Sequence, residues 1–93
     1  MSQNDTSKFS LGQTVSTRNA LDTLHPEDVL MAMSRHQNCD WGDLCEEDRQ
    51  SNERALAHGG RLFSVYHDRE HIKFWIITEA DRSVTTILLP EDY

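Results

Sequence analysis

The chain has 93 residues, 37% of them hydrophobic and 27% charged, with a formal net charge of −7; this is one domain with little surplus for a deep cavity. The acidic balance repels phosphate backbones and argues against direct nucleic-acid binding, and no apolar run approaches the roughly 20 residues that span a bilayer. Cys39 and Cys45 are too few for a disulfide scaffold and read as free thiols, and the polar start MSQNDTSKFS lacks a secretory pattern, so a cytoplasmic protein is expected.

Residues 1–8 are polar and aperiodic and read as a disordered lead, with a single domain over 9–93. Phe9 to Thr17 alternates loosely around Gly12, as a short edge strand or an extended arm. Thr17 can cap a short helix to Leu24, with Ala20, Leu21 and Leu24 on one side. His25 is pushed from helical angles by Pro26. Pro26 suits the first position of a second helix, and Glu27 and Asp28 suit its positive end. Val29, Ala32, Met33 and His36 then form a buried stripe, and this helix ends near Gln37. Asn38–Gly42 reads as a loop. Asp43 and Glu46 have the spacing of a capping box, opening a third helix to about His58. Its apolar stripe, Leu44, Ala55 and Leu56, is thin, so most of its surface faces solvent. Gly59 suits the C-cap.

Three β-branched and aromatic runs follow: Arg61–His67, Ile72–Glu79 and Ser83–Leu89. Loops of about four residues between them suit hairpins. The alternation puts Leu62, Ser64 and Tyr66 on one face of the first run. It separates Ile72, Phe74, Ile76 and Thr78 from Lys73, Trp75, Ile77 and Glu79 on the second. The second run is the most apolar and belongs at the centre, with Trp75 mostly buried. Two or three N-terminal helices packed on a three- or four-stranded antiparallel sheet, an α+β fold, is the expected architecture.

No P-loop, dinucleotide fingerprint, HExxH or nucleophile elbow is present. His36, Cys39, Cys45 and His58 are zinc-capable, but His-x2-Cys-x5-Cys matches no standard structural spacing, and neither metal nor cofactor is expected. His36, on an apolar stripe, reads as a satisfied side chain rather than a base. Thr78 to Ser83 is the densest polar cluster at a strand end. With Arg61 and Tyr66 it reads either as a small anion site or as a turn with a surface ion pair. Asp48 and Asn52 lie one turn apart and point toward Arg61 or Arg82. Residues 26–58 carry eight acids against three bases. Asp43, Glu46, Glu47, Asp48 and Glu53 concentrate on the third helix, a face suited to a basic protein partner or to solubility.

The string Asp40-Trp41-Gly42-Asp43-Leu44, with Asp48, Asn52, Ala55-Leu56, Gly60-Arg61 and Ser64-x-Tyr66, continues into Trp75 through Pro90. Together these resemble a family of small bacterial "plasmid-related" proteins carried by plasmids and integrated mobile elements, over about residues 9–93. No activity is attached to that family, so no catalytic or binding residue transfers. The resemblance implies a bacterial cytosolic accessory protein of a mobile element. The expected function is non-enzymatic binding to a basic surface of a host or plasmid factor, by a monomer or weak homodimer. Anti-restriction or anti-CRISPR inhibition by acidic mimicry is its specific version. Helices followed by a small sheet also resemble ribosome-dependent ribonuclease toxins, and that alternative would use Arg61, Glu79 and Arg82. Those toxins are basic and this chain is acidic.

Overall fold

The structure, a computed structural model, describes residues 7–93. Its elements in chain order are β1 (Gln13–Ser16), α1 (Arg18–Thr23), α2 (Pro26–Gln37), α3 (Glu46–His58), β2 (Leu62–His67), β3 (Lys73–Thr78), β4 (Val84–Leu88) and a short 3-10 turn, Pro90–Asp92. The expected lead falls, for residues 1–6, outside the described residues. At its end the Lys8 N–H donates to Gln37 O at 2.8 Å.

The sheet order is β1-β4-β3-β2, with β3 central in the hairpin meander as its apolar content and short loops require. β2–β3 and β3–β4 are antiparallel, with Tyr66 opposite Phe74 and Ile76 opposite Ile87. The sheet is nevertheless mixed. β1 runs parallel to β4, Thr14 opposite Thr85, and it precedes the helices rather than following them. A parallel neighbour needs a long crossover, and α1 to β3 supply it. The N-terminal arm therefore extends the sheet at its edge. On the outer sheet face the C-terminal turn reaches Trp75, whose ring stands 5.7 Å from that of Tyr93.

Thr17 caps α1, its Oγ1 accepting from Ala20 N at 3.1 Å, and Pro26 opens α2. α1 and α2 lay Ala20, Leu24 and Ala32 on Tyr66, Phe74, Ile76, Ile87 and Leu89, the main core. A second cluster, Trp41, Leu44, Leu62 and Val65, lies under α3. Trp75 is half-buried there rather than mostly buried, because it stands on the outer face against Phe63 and Tyr93.

The expected Asp43 cap is also corrected. α3 begins at Glu46 with Cys45 in the cap position and no side-chain cap bond. Asp43 is held elsewhere, because residues 41–43 serve as an extra rung on β2. Val65 N donates to Trp41 O at 3.1 Å and Asp43 N to Val65 O at 2.8 Å. Gly42 permits this approach, since a Cβ there would lie 1.9 Å from Val65 O and its φ is +76°. Farther along the same edge Asn52 does comparable work: Nδ2 donates to Phe63 O at 2.7 Å and Phe63 N donates to Oδ1 at 3.1 Å.

Candidate functional site

α3 is anchored by its single fully buried residue, Asn52, and by partial burial of Ala55 and Leu56. The rest of the helix is surface. Glu46, Glu47 and Asp48 occupy its first turn, where the positive end of the helix dipole favours carboxylates. All five residues expected to bind a partner, Asp43, Glu46, Glu47, Asp48 and Glu53, are exposed. They differ in how free they are. Asp43 Oδ2 lies 2.9 Å from His67 Nδ1, Glu46 accepts from Gln50, and Glu53 accepts from the indole N–H of buried Trp41 at 3.0 Å. Glu47 and Asp48 make no hydrogen bond or ion pair among the described residues.

Arg61, Glu79 and Arg82 do come together, at the β3–β4 end of the sheet. Arg61 Nε donates to Glu79 Oε1 at 3.2 Å, and its Nη1 donates to the Tyr93 hydroxyl at 3.0 Å. Arg82 is spent on backbone. It donates to Gly60 O at 2.6 Å, to Ala55 O at 3.1 Å and to the carbonyls of Glu79 and Ala80. It thereby ties the last turn of α3 to the β3–β4 turn, adding a second donor to the Ala55 carbonyl, which also accepts from Gly59 N. Tyr66, placed with this cluster by sequence, points elsewhere: its hydroxyl donates to Asp40 O at 2.6 Å. Asp48 does not reach these arginines, and its neighbour Asn52 turns to Phe63.

The sheet's inner face carries a buried polar line. Ser64, Thr78, Thr85 and His36 are fully buried. Thr85 Oγ1 donates to Leu11 O at 2.7 Å, so its proton is committed. Thr78 must then donate to Thr85 at 2.8 Å, and His36 Nε2–H to Thr78 at 2.9 Å. That leaves Nδ1 to accept from Ser64 at 2.5 Å. Each group in the line donates one bond to the next, which assigns a neutral Nε2–H tautomer. Burial, and secondarily the charge of Arg82, push the His36 pKa down to about 4. The Ser64–His36 separation is that of a nucleophile and its base, yet the pair is closed to any substrate. His36 is satisfied, as its sequence context suggested. The missed signal was the alignment of Ser64, Thr78 and Thr85 on one inward face of three adjacent strands.

The zinc-capable side chains disperse. His36 is locked in this line, Cys39 is half-buried with its thiol pushed up by burial, and Cys45 and His58 are exposed. No three His, Cys, Asp or Glu side chains among the described residues are arranged to hold a metal ion. No helix among those residues is long and apolar enough to cross a membrane.

Shallow recesses mark the surface of the described residues. One of about 280 Å³ lies on the outer face between Phe63, Trp75 and Tyr93. One of about 290 Å³ runs between α1, α2 and β1, past exposed Leu21 and Leu30. One of about 220 Å³ lies between α2 and the end of β2. No protein-family model matches the chain, and it has no significant match among curated proteins or solved structures.

Proposed function

We propose that the chain is a non-enzymatic protein-binding factor whose α3 presents a carboxylate face to a basic surface of another protein. The observation that carries this reading is the exposure of all five acids, Asp43 just before α3 and Glu46, Glu47, Asp48 and Glu53 on it, where the helix commits only one fully buried residue to the fold. Glu47 and Asp48, without polar partners among the described residues, are placed to meet incoming lysines or arginines at no cost to a pair seen there. Two findings support a non-enzymatic reading: the Ser64–His36 pair is sealed, and the Arg82 guanidinium is committed to backbone carbonyls. The setting we propose is the bacterial cytosol, as an accessory protein of a plasmid or integrated element. The sequence resemblance supports that setting, and blocking a host defence protein is the specific version.

The test is capture of partners from plasmid-bearing cells by wild type and by a variant with Glu46→Gln, Glu47→Gln and Asp48→Asn. The partner expected is basic and is lost with the variant as salt rises. A partner retained equally by both at low salt would reject the acidic face. Induced expression tests the toxin alternative, which predicts growth arrest that Arg61→Ala or Glu79→Ala relieves.

A further inference from the structure

We propose that the free edge of β1 pairs with the same edge of a second copy of this chain, antiparallel about a two-fold axis, so that two four-stranded sheets join into one. The inference goes beyond the acidic-face reading and does not depend on it.

The fold treats the two edges of its sheet differently. At the β2 edge the backbone is already met: Trp41 and Asp43 bond Val65, and the Asn52 side chain bonds the N–H and C=O of Phe63. At the other edge β1 is bonded on one side only. Gln13 N donates to Ser83 O at 2.9 Å and Thr17 N to Ile87 O at 3.0 Å, which turns these residues, and Val15 between them, toward β4. Thr14 and Ser16 therefore direct their backbone N–H and C=O groups away from the sheet. Neither has a backbone hydrogen bond on that side among the described residues, and all four residues of β1 are exposed. An edge left open in this way is a template for another strand. Apolar surface adjoins it on both faces. Val15 stands on the outer face, 38% exposed. On the helix side a recess of about 290 Å³ runs along the edge past Thr14, Ser16 and Ile87, with Leu21 and Leu30 at 66% and 62% exposure.

Register, shape and charge select a second copy as the occupant. A register centred on Val15 uses every free group: Thr14 of one copy and Ser16 of the other exchange both their hydrogen bonds, on each side of the axis, and the two Val15 side chains meet at it. A two-fold normal to the sheet keeps both helix layers on one side, so the Leu21 and Leu30 patch of each copy faces that of the other. The surface is also locally neutral. From Phe9 to Leu24 the only charged residues are Arg18 and Asp22, in a chain of net charge −7. The α3 acids lie beyond the β2 edge, at the two far ends of the joined sheet. Strand spacing holds those ends roughly 34 Å apart. That is several times the screening length of roughly 8 Å at physiological ionic strength, so the acidic helices do not oppose pairing here. A short strand pair with a leucine patch buries less than the roughly 800 Å² per partner of a standard interface, which makes the dimer a weak one.

Sedimentation equilibrium of the full chain at physiological salt should show a monomer–dimer equilibrium with a Kd of roughly 1–100 µM. Leu21→Glu and Leu30→Glu, at exposed positions, should each weaken it by roughly tenfold or more and leave the monomer folded. The variant with Glu46→Gln, Glu47→Gln and Asp48→Asn should dimerise as wild type does, so loss of partner capture with dimerisation intact bears on the acidic face alone. Disulfide trapping reads the register, with the linked peptides mapped by mass spectrometry to separate them from those of Cys39 and Cys45. Val15→Cys should link copy to copy under mild oxidation, because facing residues of a non-hydrogen-bonded pair have Cα atoms about 4.5 Å apart. Gln13→Cys, which this register holds about 14 Å from its counterpart, should not. A chain that stays monomeric up to about 1 mM, a dimer that both glutamate variants leave intact, or Gln13→Cys linking as readily as Val15→Cys overturns the proposal.

Discussion

Under α2, four polar side chains are sealed between helix and sheet, and each hydrogen reaches an acceptor: Ser64 to His36, His36 to Thr78, Thr78 to Thr85, Thr85 to Leu11 O. On α3 and just before it, five carboxylates are exposed, and Glu47 and Asp48 make no polar bond to another side chain among the described residues. The buried line has the residue types of a catalytic site but is closed to substrate, whereas the acids of α3 are open to solvent. Polar groups that satisfy one another in a low-dielectric core fix strand register and helix placement. Polar groups that water alone satisfies can be handed to a partner. Accessibility, more than residue type, separates the two.

The sharpest way to break this contrast is at His36. Its removal by His36→Ala leaves a cavity between Phe9, Trp41 and the sheet and strands the Ser64 and Thr78 hydroxyls. A loss of about 4 kcal/mol in urea unfolding is expected. A loss below about 1 kcal/mol would mean the line contributes little.

Acid should attack the same group. His36 binds its proton at about 4 in the folded chain and at the ordinary histidine value of 6.5 when unfolded. The unfolded state then holds more protons between those values. The stability from keeping His36 neutral is complete above pH 6.5 and is lost as pH falls toward 4, by about 3 kcal/mol. Asp28 and Asp40, held below the usual carboxylate range by hydrogen bonds from Arg69 and Arg35, add their loss only below that window. Unfolding free energies from about pH 7 to about pH 4.5 check the sign. A His36→Gln variant should flatten the slope, and an unchanged slope would assign it elsewhere.

Within α3 the contrast narrows to one helix. Asn52→Ala exposes the Phe63 N–H and C=O on the β2 edge and should cost about 2 kcal/mol. Neutralising Glu46, Glu47 and Asp48 together should change stability by less than about 1 kcal/mol, since only helix-dipole and Gln50 contacts are lost. Glu53 is best left intact in such a variant, because it holds the buried Trp41 N–H.

Local rules wrote most of this architecture plainly. Thr17, Pro26 and Gly59 mark helix ends where they were expected, and the three late strands alternate as their sequences do. What stayed hidden was long-range. Nothing in Gln13–Ser16 announces a parallel neighbour some 70 residues away, because a four-residue edge strand takes its direction from the crossover that delivers it. Asp43 and Glu46 satisfied the capping-box spacing, but pairing of residues 41–43 with Val65 won the Asp43 backbone, and His67 holds its carboxylate. Asp68 lies in the loop between the first two late strands, and only the fold buries it. The acidic face itself was legible, since a thin apolar stripe leaves few other places for carboxylates to go.

Zero-length carbodiimide cross-linking in bacterial cells, followed by mass spectrometry, tests the recognition claim most directly, because it joins carboxylates only to amines already in contact. We predict that intermolecular links concentrate on Asp43, Glu46, Glu47 and Asp48, join lysines of a basic protein, and vanish in the Glu46→Gln, Glu47→Gln, Asp48→Asn variant. Links confined to Glu79, Glu91 or Asp92, beside the outer sheet face and the C-terminal turn, or no intermolecular link on α3, would contradict it.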